Sequence, residues 1–185
     1  DVHFHHLIIE ERDGPVVGTY RMQTVEMAAR LGGFYSAGEF DLSTIPPEVM
    51  ANSVEIGRAC VSKPHRNGRV LHLLWRGLAA YLAWHRKSYL FGCCSLTSQD
   101  PALGVSVHEF LARRGDVHPR LHVDPLPETR CEAAPGVALP EPSVPPLFAA
   151  YLNLGAKVCG PPAIDRLFKT IDWLVVLNVD ELATG

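Results

Sequence analysis

Nothing in this sequence is long and apolar enough to cross a bilayer, where about 18 consecutive apolar residues would be needed. No charged and apolar leader precedes a small-residue cleavage site. A spanning or exported chain is therefore not expected, and a cytoplasmic one is. Net charge is also scarce: 17 lysines and arginines face 20 aspartates and glutamates, a balance of -3. Nucleic-acid binders are usually basic, so that partner class is disfavoured. A local basic patch still fits on a nearly neutral chain, which leaves an acidic protein partner open. The five cysteines are Cys60, Cys93, Cys94, Cys131 and Cys159. Their number is odd, two adjoin and no C-x-x-C pair occurs. That argues against a disulfide framework and for a reducing compartment. Internal repeats are missing too.

What is present is ordinary globular composition, 47% apolar and 20% charged over 185 residues. That length suits one domain, so residues 1–185 are read as a single domain. Phe4 to Glu10 and Val16 to Met22 read as strands, split by Arg12-Asp13-Gly14-Pro15, the pattern of an antiparallel hairpin. A helix is expected from about Thr24, its N-cap, to Leu31, closed by Gly32-Gly33. Residues 34–47 are irregular. Ser53 to Ser62 reads as a strand and residues 69–87 as a helix, with Leu71, Leu74, Trp75, Leu78 and Leu82 on one stripe. Tyr89 to Ser95 is a short buried strand, and Pro101 to Arg114 a second helix.

Strand, helix, strand and helix over residues 53–114 make a βαβα unit with two parallel strands. The fold class is thus α/β (α+β): a mixed twisted sheet covered by helices. Residues 124–146 carry seven prolines, a surface loop over a site or a mobile excursion. A helix follows from Pro146 to Leu154, then a turn or helix at Ile164–Thr170 and a last strand at Ile171–Val179.

Chemistry concentrates in Glu55-Ile-Gly-Arg-Ala-Cys-Val61. Strict alternation sends residues 55 and 58 to opposite faces of a strand. Gly57 permits a bulge that would bring both to one face. A carboxylate beside a guanidinium stays ionised and can take a proton from an amine. The pattern fits equally a structural ion pair pinning the strand. Lys63 to Arg69 opens the long helix, where backbone amides bind phosphate and Gly68 allows close approach; a solvated basic turn has the same pattern. Arg21 sits mid-strand and wants a partner such as Glu39 or Asp41, either as a loop anchor or as a substrate contact. His3, His5 and His6 lie near the terminus without a completing carboxylate or thiol set, so no metal is expected there.

Three stretches resemble a known family: Val17-Gly-Thr-Tyr-Arg21, Gly33-Phe-Tyr-Ser-Ala-Gly-Glu-Phe-Asp-Leu42 and Glu55-Ile-Gly-Arg-Ala-Cys-Val61. Together with Tyr151-Leu-Asn-Leu-Gly-Ala-Lys-Val-Cys-Gly160, Asp165 and Ile171-Asp-Trp-Leu-Val-Val176, they look like the GNAT-superfamily N-acyltransferases that acylate ornithine from acyl carrier protein, the hemolysin-like family. The first and third motifs are also similar to acyl-homoserine-lactone synthases.

The resemblance implies a GNAT-like sheet with splayed parallel central strands and helices on both faces. Glu55 would be the general base, with Arg58 beside it. Cys60, Val61, Arg66, Gly68, Arg69 and Ser95 would bind the acyl donor, and Arg21, Glu39 and Asp41 the amino-acid acceptor. The amine would attack directly, so Cys60 is expected to be buried packing and not a nucleophile.

No permanent cofactor is implied. The co-substrate would be the acyl-phosphopantetheine of acyl carrier protein, with acyl-CoA less favoured. The superfamily's coenzyme A loop, Arg/Gln-x-x-Gly-x-Gly/Ala, does not fit Arg66-Asn-Gly-Arg-Val70, and Lys63, Arg66, Arg69 and Arg76 would face the acidic carrier. The implied activity moves a long-chain (3-hydroxy)acyl group to the α-amine of ornithine, for lyso-ornithine lipid. Its alternatives are another N-acyl amino acid synthase or an inactive acyl-binding module. The product implies peripheral contact with the inner membrane surface. The superfamily places a strand and helices before the first hairpin, and these N-terminal elements are expected to be missing from this sequence.

Overall fold

An apolar, β-branched run followed by Glu11 to Pro15 folds the chain back on itself at its start. In the computed structural model, which describes residues 2–182, β1 (His5–Glu10) pairs antiparallel with β2 (Val16–Thr24). The turn between them is closed by the Gly14 N–H on the Glu11 carbonyl at 3.0 Å. The chain then enters α1 (Val25–Leu31), whose Thr24 hydroxyl accepts the Met27 N–H at 3.4 Å. Gly32, at φ 83°, caps its end in the left-handed region that glycine adopts without strain.

The described residues form two compact units. The first holds the residues up to Phe34 together with Glu48–Phe91; the second holds Tyr35–Pro47 and the residues from Gly92 onward.

In the first unit, a short helix α2 (Pro47–Ala51) leads into β3 (Ser53–Val61), which pairs antiparallel with β2. Helix α3 (Arg69–His85) then carries the chain to β4 (Tyr89–Leu96), whose first residues pair parallel with β3. A crossover helix is what a parallel pair requires. The buried stripe of α3 is Val70, Leu74, Leu78 and Leu82, with Leu71 and Trp75 only half-buried. This helix lies close on the hairpin. A Cβ at Gly18 would meet Val70 Cγ1 at 2.5 Å, and one at Gly77 would meet Leu7 Cδ1 at 2.7 Å. The missing side chains let the helix lie close on β1 and β2.

In the second unit, Asp100 accepts the Ala102 N–H at 3.0 Å to start α4 (Pro101–Arg113), with Pro101 in the first turn where its missing donor costs nothing. Helix α5 (Pro146–Asn153) follows, then β5 (Lys157–Val158), β6 (Ala163–Asp165), β7 (Thr170–Asn178) and α6 (Val179–Leu182). Strand β7 pairs antiparallel with both β5 and β6. Its Trp173 is fully buried and packs on Phe148 with ring centroids 5.7 Å apart, among Val107, Leu111, Leu152 and Ile171. Burying such a side chain contributes on the order of 2–3 kcal/mol.

Several expectations need correction. Of the turn or helix expected at 164–170, the turn is present at residues 166–169, but its flanks are strands, because Ala163–Asp165 pairs with Thr170–Asp172. The stretch expected to be irregular contains two 3₁₀ turns, Tyr35–Gly38 and Leu42–Thr44. Both α2 and β5 went unforeseen, being too short for periodicity to register. No helix among the described residues is long and apolar enough to cross a membrane.

Candidate active site

Strand β3 carries the motif with the richest chemistry. Its parallel ladder with β4 comprises Ser53 with Tyr89, Val54 with Leu90 and Glu55 with Phe91. Glu55 stands opposite Phe91, and it is 4% exposed. On the other side of β3, the register with β2 passes from Arg21 opposite Gly57 to Thr19 opposite Cys60. Two steps on β2 match three on β3, so β3 holds one extra residue: a bulge.

The expected bulge is present, but its left-handed residue is Arg58, at φ 52°, and not Gly57. A non-glycine residue there costs about 1–2 kcal/mol and persists because the surrounding pairing imposes it. Past the bulge the strand turns outward. Arg58, Ala59 and Cys60 are exposed where Ser53, Val54 and Glu55 are buried. Cys60 is thus not the packing residue expected; the bulge lifts it to the surface. Arg21 lies on β2 with its guanidinium 4.4 Å from the Phe4 ring centroid, a cation–π contact, and its Nη2 is 3.9 Å from an ideal Cβ at Gly57.

The turn after β3 is ordered by its own side chains. Ser62 and His65 share a hydrogen bond of 2.7 Å, and Arg66 Nε donates to the Val61 carbonyl at 3.0 Å. Gly68 precedes α3 at φ 88° with no side-chain cap, and Asn67 Oδ1 accepts the Arg69 N–H at 3.1 Å. Lys63, Arg66, Arg69 and Arg76 are all exposed. These four basic residues around the first turns of α3 are thus open to solvent. Elsewhere in this unit, His5 Nδ1 and the Tyr81 hydroxyl are 2.7 Å apart, so His5 is engaged with α3.

The acceptor residues expected in the second unit divide into two kinds. Asp41 takes the Ser43 N–H at 3.1 Å and the Ser43 hydroxyl at 2.6 Å, which holds its carboxyl below the usual range. It caps the 3₁₀ turn Leu42–Thr44. Glu39 instead is buried, and its backbone is clamped by the Pro-rich segment. Leu126 N–H and Thr129 Oγ1 both donate to its carbonyl, at 2.8 and 2.7 Å, while Asp41 N–H donates to Asp124 at 2.9 Å. The first residues of the 124–146 stretch are thus stitched to the 39–41 loop, and Thr44 Oγ1 adds a bond to the His122 carbonyl at 2.9 Å.

The structure also brings Glu39 together with two acids that sequence reasoning had not placed in the site. Carboxylate oxygens of Glu39, Asp165 and Asp172 lie within 4.8 Å of one another. Burial and the Asp172 carboxylate push Glu39 up to about 8. Burial raises Asp172 as well, against the lowering effect of bonds from Ser95, Glu39 and Thr170. Like charges this close cannot both ionise freely, so the pair holds a proton near neutral pH. Ser95, expected on the donor side, is exposed and bonded to Asp172. The missed signal was in plain view: Asp165 and Asp172 are acids inside the apolar runs Ala163–Asp165 and Ile171–Val176.

Residues 1–76 match the acetyltransferase (GNAT) domain family. The chain is 33% identical over 180 residues to an L-ornithine N(alpha)-acyltransferase of Agrobacterium fabrum, covering 94% of this chain and 61% of that protein. To an L-ornithine N(alpha)-acyltransferase of Brucella abortus it is 33% identical over 196 residues, covering 97% of this chain and 68% of that protein. The chain thus spans less than two thirds of the Agrobacterium relative. Among solved structures, an aminoglycoside 6'-N-acetyltransferase from Enterococcus faecium superposes with a TM-score of 0.51 at 12% identity, over 97% of this chain and 74% of that one. That likeness speaks for the fold alone.

Proposed function

The chain belongs to the family of these L-ornithine N(alpha)-acyltransferases, and from that premise we propose that it transfers a long-chain (3-hydroxy)acyl group from acyl carrier protein to the α-amine of ornithine, giving lyso-ornithine lipid. The observation that carries the reading is the position of Glu55. A buried carboxylate stands in a parallel ladder, two residues before the strand bulges.

In this reaction Glu55 accepts the proton of the incoming α-ammonium, directly or through one water. The amine nitrogen attacks the thioester carbonyl, the C–N bond forms and the C–S bond breaks. The phosphopantetheine sulfur leaves as a thiol, and no acyl-enzyme forms. Backbone groups around Cys60 and Val61 pair with the pantetheine arm and polarise the carbonyl. Arg58 supports the site at the bulge, and Arg21, Glu39 and Asp41 serve the acceptor. Gly68 lets the single phosphate approach the start of α3, with Ser95 a further donor contact and Arg66 and Arg69 facing the acidic carrier. Acyl carrier protein is favoured over coenzyme A because Arg66-Asn-Gly-Arg-Val70 lacks the spacing of a pyrophosphate loop. The reaction is cytoplasmic and its product enters the membrane surface.

Purified protein incubated with 3-hydroxyacyl carrier thioester and a pool of amino acids tests the proposal by mass spectrometry. An N-acyl-ornithine product supports it. A product on another amino acid replaces the acceptor, and no product with any amino acid favours an acyl-binding module.

A further inference from the structure

Gln23 is a polar side chain in a buried stretch of β2, between Met22 and the helix cap Thr24, and is 2% exposed. The antiparallel register sets it directly opposite Glu55, itself 4% exposed. Residues opposite one another point to the same face, with Cβ atoms about 4.5–5.5 Å apart. Gln23 Nε2 donates to the Gly33 carbonyl at 3.2 Å, which fixes the amide and commits its nitrogen end. Its oxygen end, Oε1, is buried, and no group among the described residues donates to it. Gln23, Gly33 and Glu55 all belong to the first unit.

A buried acceptor is costly without a donor, so Oε1 calls for one. The carboxylate beside it accepts too. A single donor with two O–H groups serves both. Glutamine and glutamate have the same length, so side by side their heads stand about as far apart as their Cβ atoms. That is too far for a direct bond, but two O–H···O bonds of about 2.75 Å at a tetrahedral angle span about 4.5 Å. Exposures of 2% and 4% give little surface to an ammonium carrying its own carbon chain. Water has the size and the hydrogen-bond count, since a buried water makes about three bonds.

We propose that Gln23 is a positioning residue for the transfer: it orients a relay water against Glu55. The proposal rests on the acyl-transfer reading above and selects within it the water-borne route to the base. The water gives one O–H to Gln23 Oε1 and one to the Glu55 carboxylate, which leaves a lone pair for the α-ammonium. An ammonium N–H bond breaks as an O–H bond forms on the water. The water's O–H towards Glu55 breaks as the carboxylate takes that proton. Water is regenerated, and the nitrogen keeps the electron pair with which it attacks the thioester. The other charged residues of β2 and β3 are Arg21 and Arg58; α1 adds Arg30 and Glu26, the latter paired with Lys87 at 2.8 Å.

Gln23→Met keeps the length of the side chain and removes both ends of the amide. Near neutral pH its kcat should fall about tenfold to a hundredfold, with KM for carrier and ornithine within about twofold of the parent. The deficit should shrink as pH rises past the pKa of the acceptor's ammonium, where the amine arrives already deprotonated. In a Glu55→Gln background the same substitution should cost less than about twofold, because it acts through Glu55. A deficit constant in pH, or one that multiplies with that of Glu55→Gln, overturns the relay. A high-resolution crystal structure of the unaltered chain decides the matter without activity and without the variant. It should show a water within about 3.2 Å of both Gln23 Oε1 and a Glu55 oxygen. Density without that water, or Oε1 bonded to a protein donor, overturns the proposal even where ornithine is acylated. A chain that acylates no amino acid sinks the transfer reading, while the presence of this water still supports its orientation by Gln23.

Discussion

Glu55 stands opposite Phe91 in the parallel ladder between β3 and β4. Within three residues β3 changes from a buried central strand to an exposed one, with the left-handed Arg58 at the change. The proposed proton acceptor thus lies buried within three residues of exposed backbone.

Glu55→Gln removes the proposed proton acceptor while keeping volume and hydrogen-bonding shape. Turnover should fall by about two to four decades, the range for losing a general base, while circular dichroism and thermal midpoint stay near those of the parent. Steady-state kinetics checks this. Unchanged turnover would take Glu55 out of the chemistry.

Arg58→Gly separates stability from activity. Glycine adopts φ near 50° without the Cβ clash, so the strain of about 1–2 kcal/mol is relieved, partly offset by greater chain entropy on unfolding. Urea denaturation should show a protein at least as stable as the parent, with turnover reduced by loss of the guanidinium. A marked loss of stability would show that the arginine side chain holds the bulge.

Reversing charge at Arg66 and Arg69, both exposed at the start of α3, should raise KM for the carrier protein and flatten its dependence on salt. Turnover at saturating carrier should change little. If neither KM nor the salt profile moves, the carrier docks elsewhere.

The acid pair predicts an unusual pH profile. Glu39 is raised to about 8 in the fold, so the native state keeps a proton that the unfolded chain releases near 4.5. Where the native state binds more protons, stability falls with rising pH, by at most about 1.4 kcal/mol per unit for one proton. The contribution is complete below about 4.5 and is lost as pH climbs to about 8. Denaturation curves across this window should show the decline, and Glu39→Gln should flatten it. An unchanged slope in the variant would assign the proton elsewhere.

Local signals carried far along this chain. The hairpin, the Thr24 cap, the Gly32 stop, the parallel crossover through α3 and even the existence of a bulge near Gly57 were legible in residue order. Each is decided by neighbours within a few positions, where turn chemistry, capping and periodicity act. Which residue took the left-handed conformation was not legible. It depends on how β2 and β3 align across the ladder, and that alignment placed the strain on Arg58 and lifted Cys60 to the surface.

By itself, then, the sequence determined the family, the class of fold and the motif that carries the proposed base, because these reside in contiguous stretches. Only tertiary structure decided that Glu39, Asp165 and Asp172 share one buried cluster. Residues 39 and 165 lie far apart in the chain, and nothing in the spacing of either reveals the other. Burial turns such a meeting into chemistry: away from water, close carboxylates repel strongly enough to hold a proton.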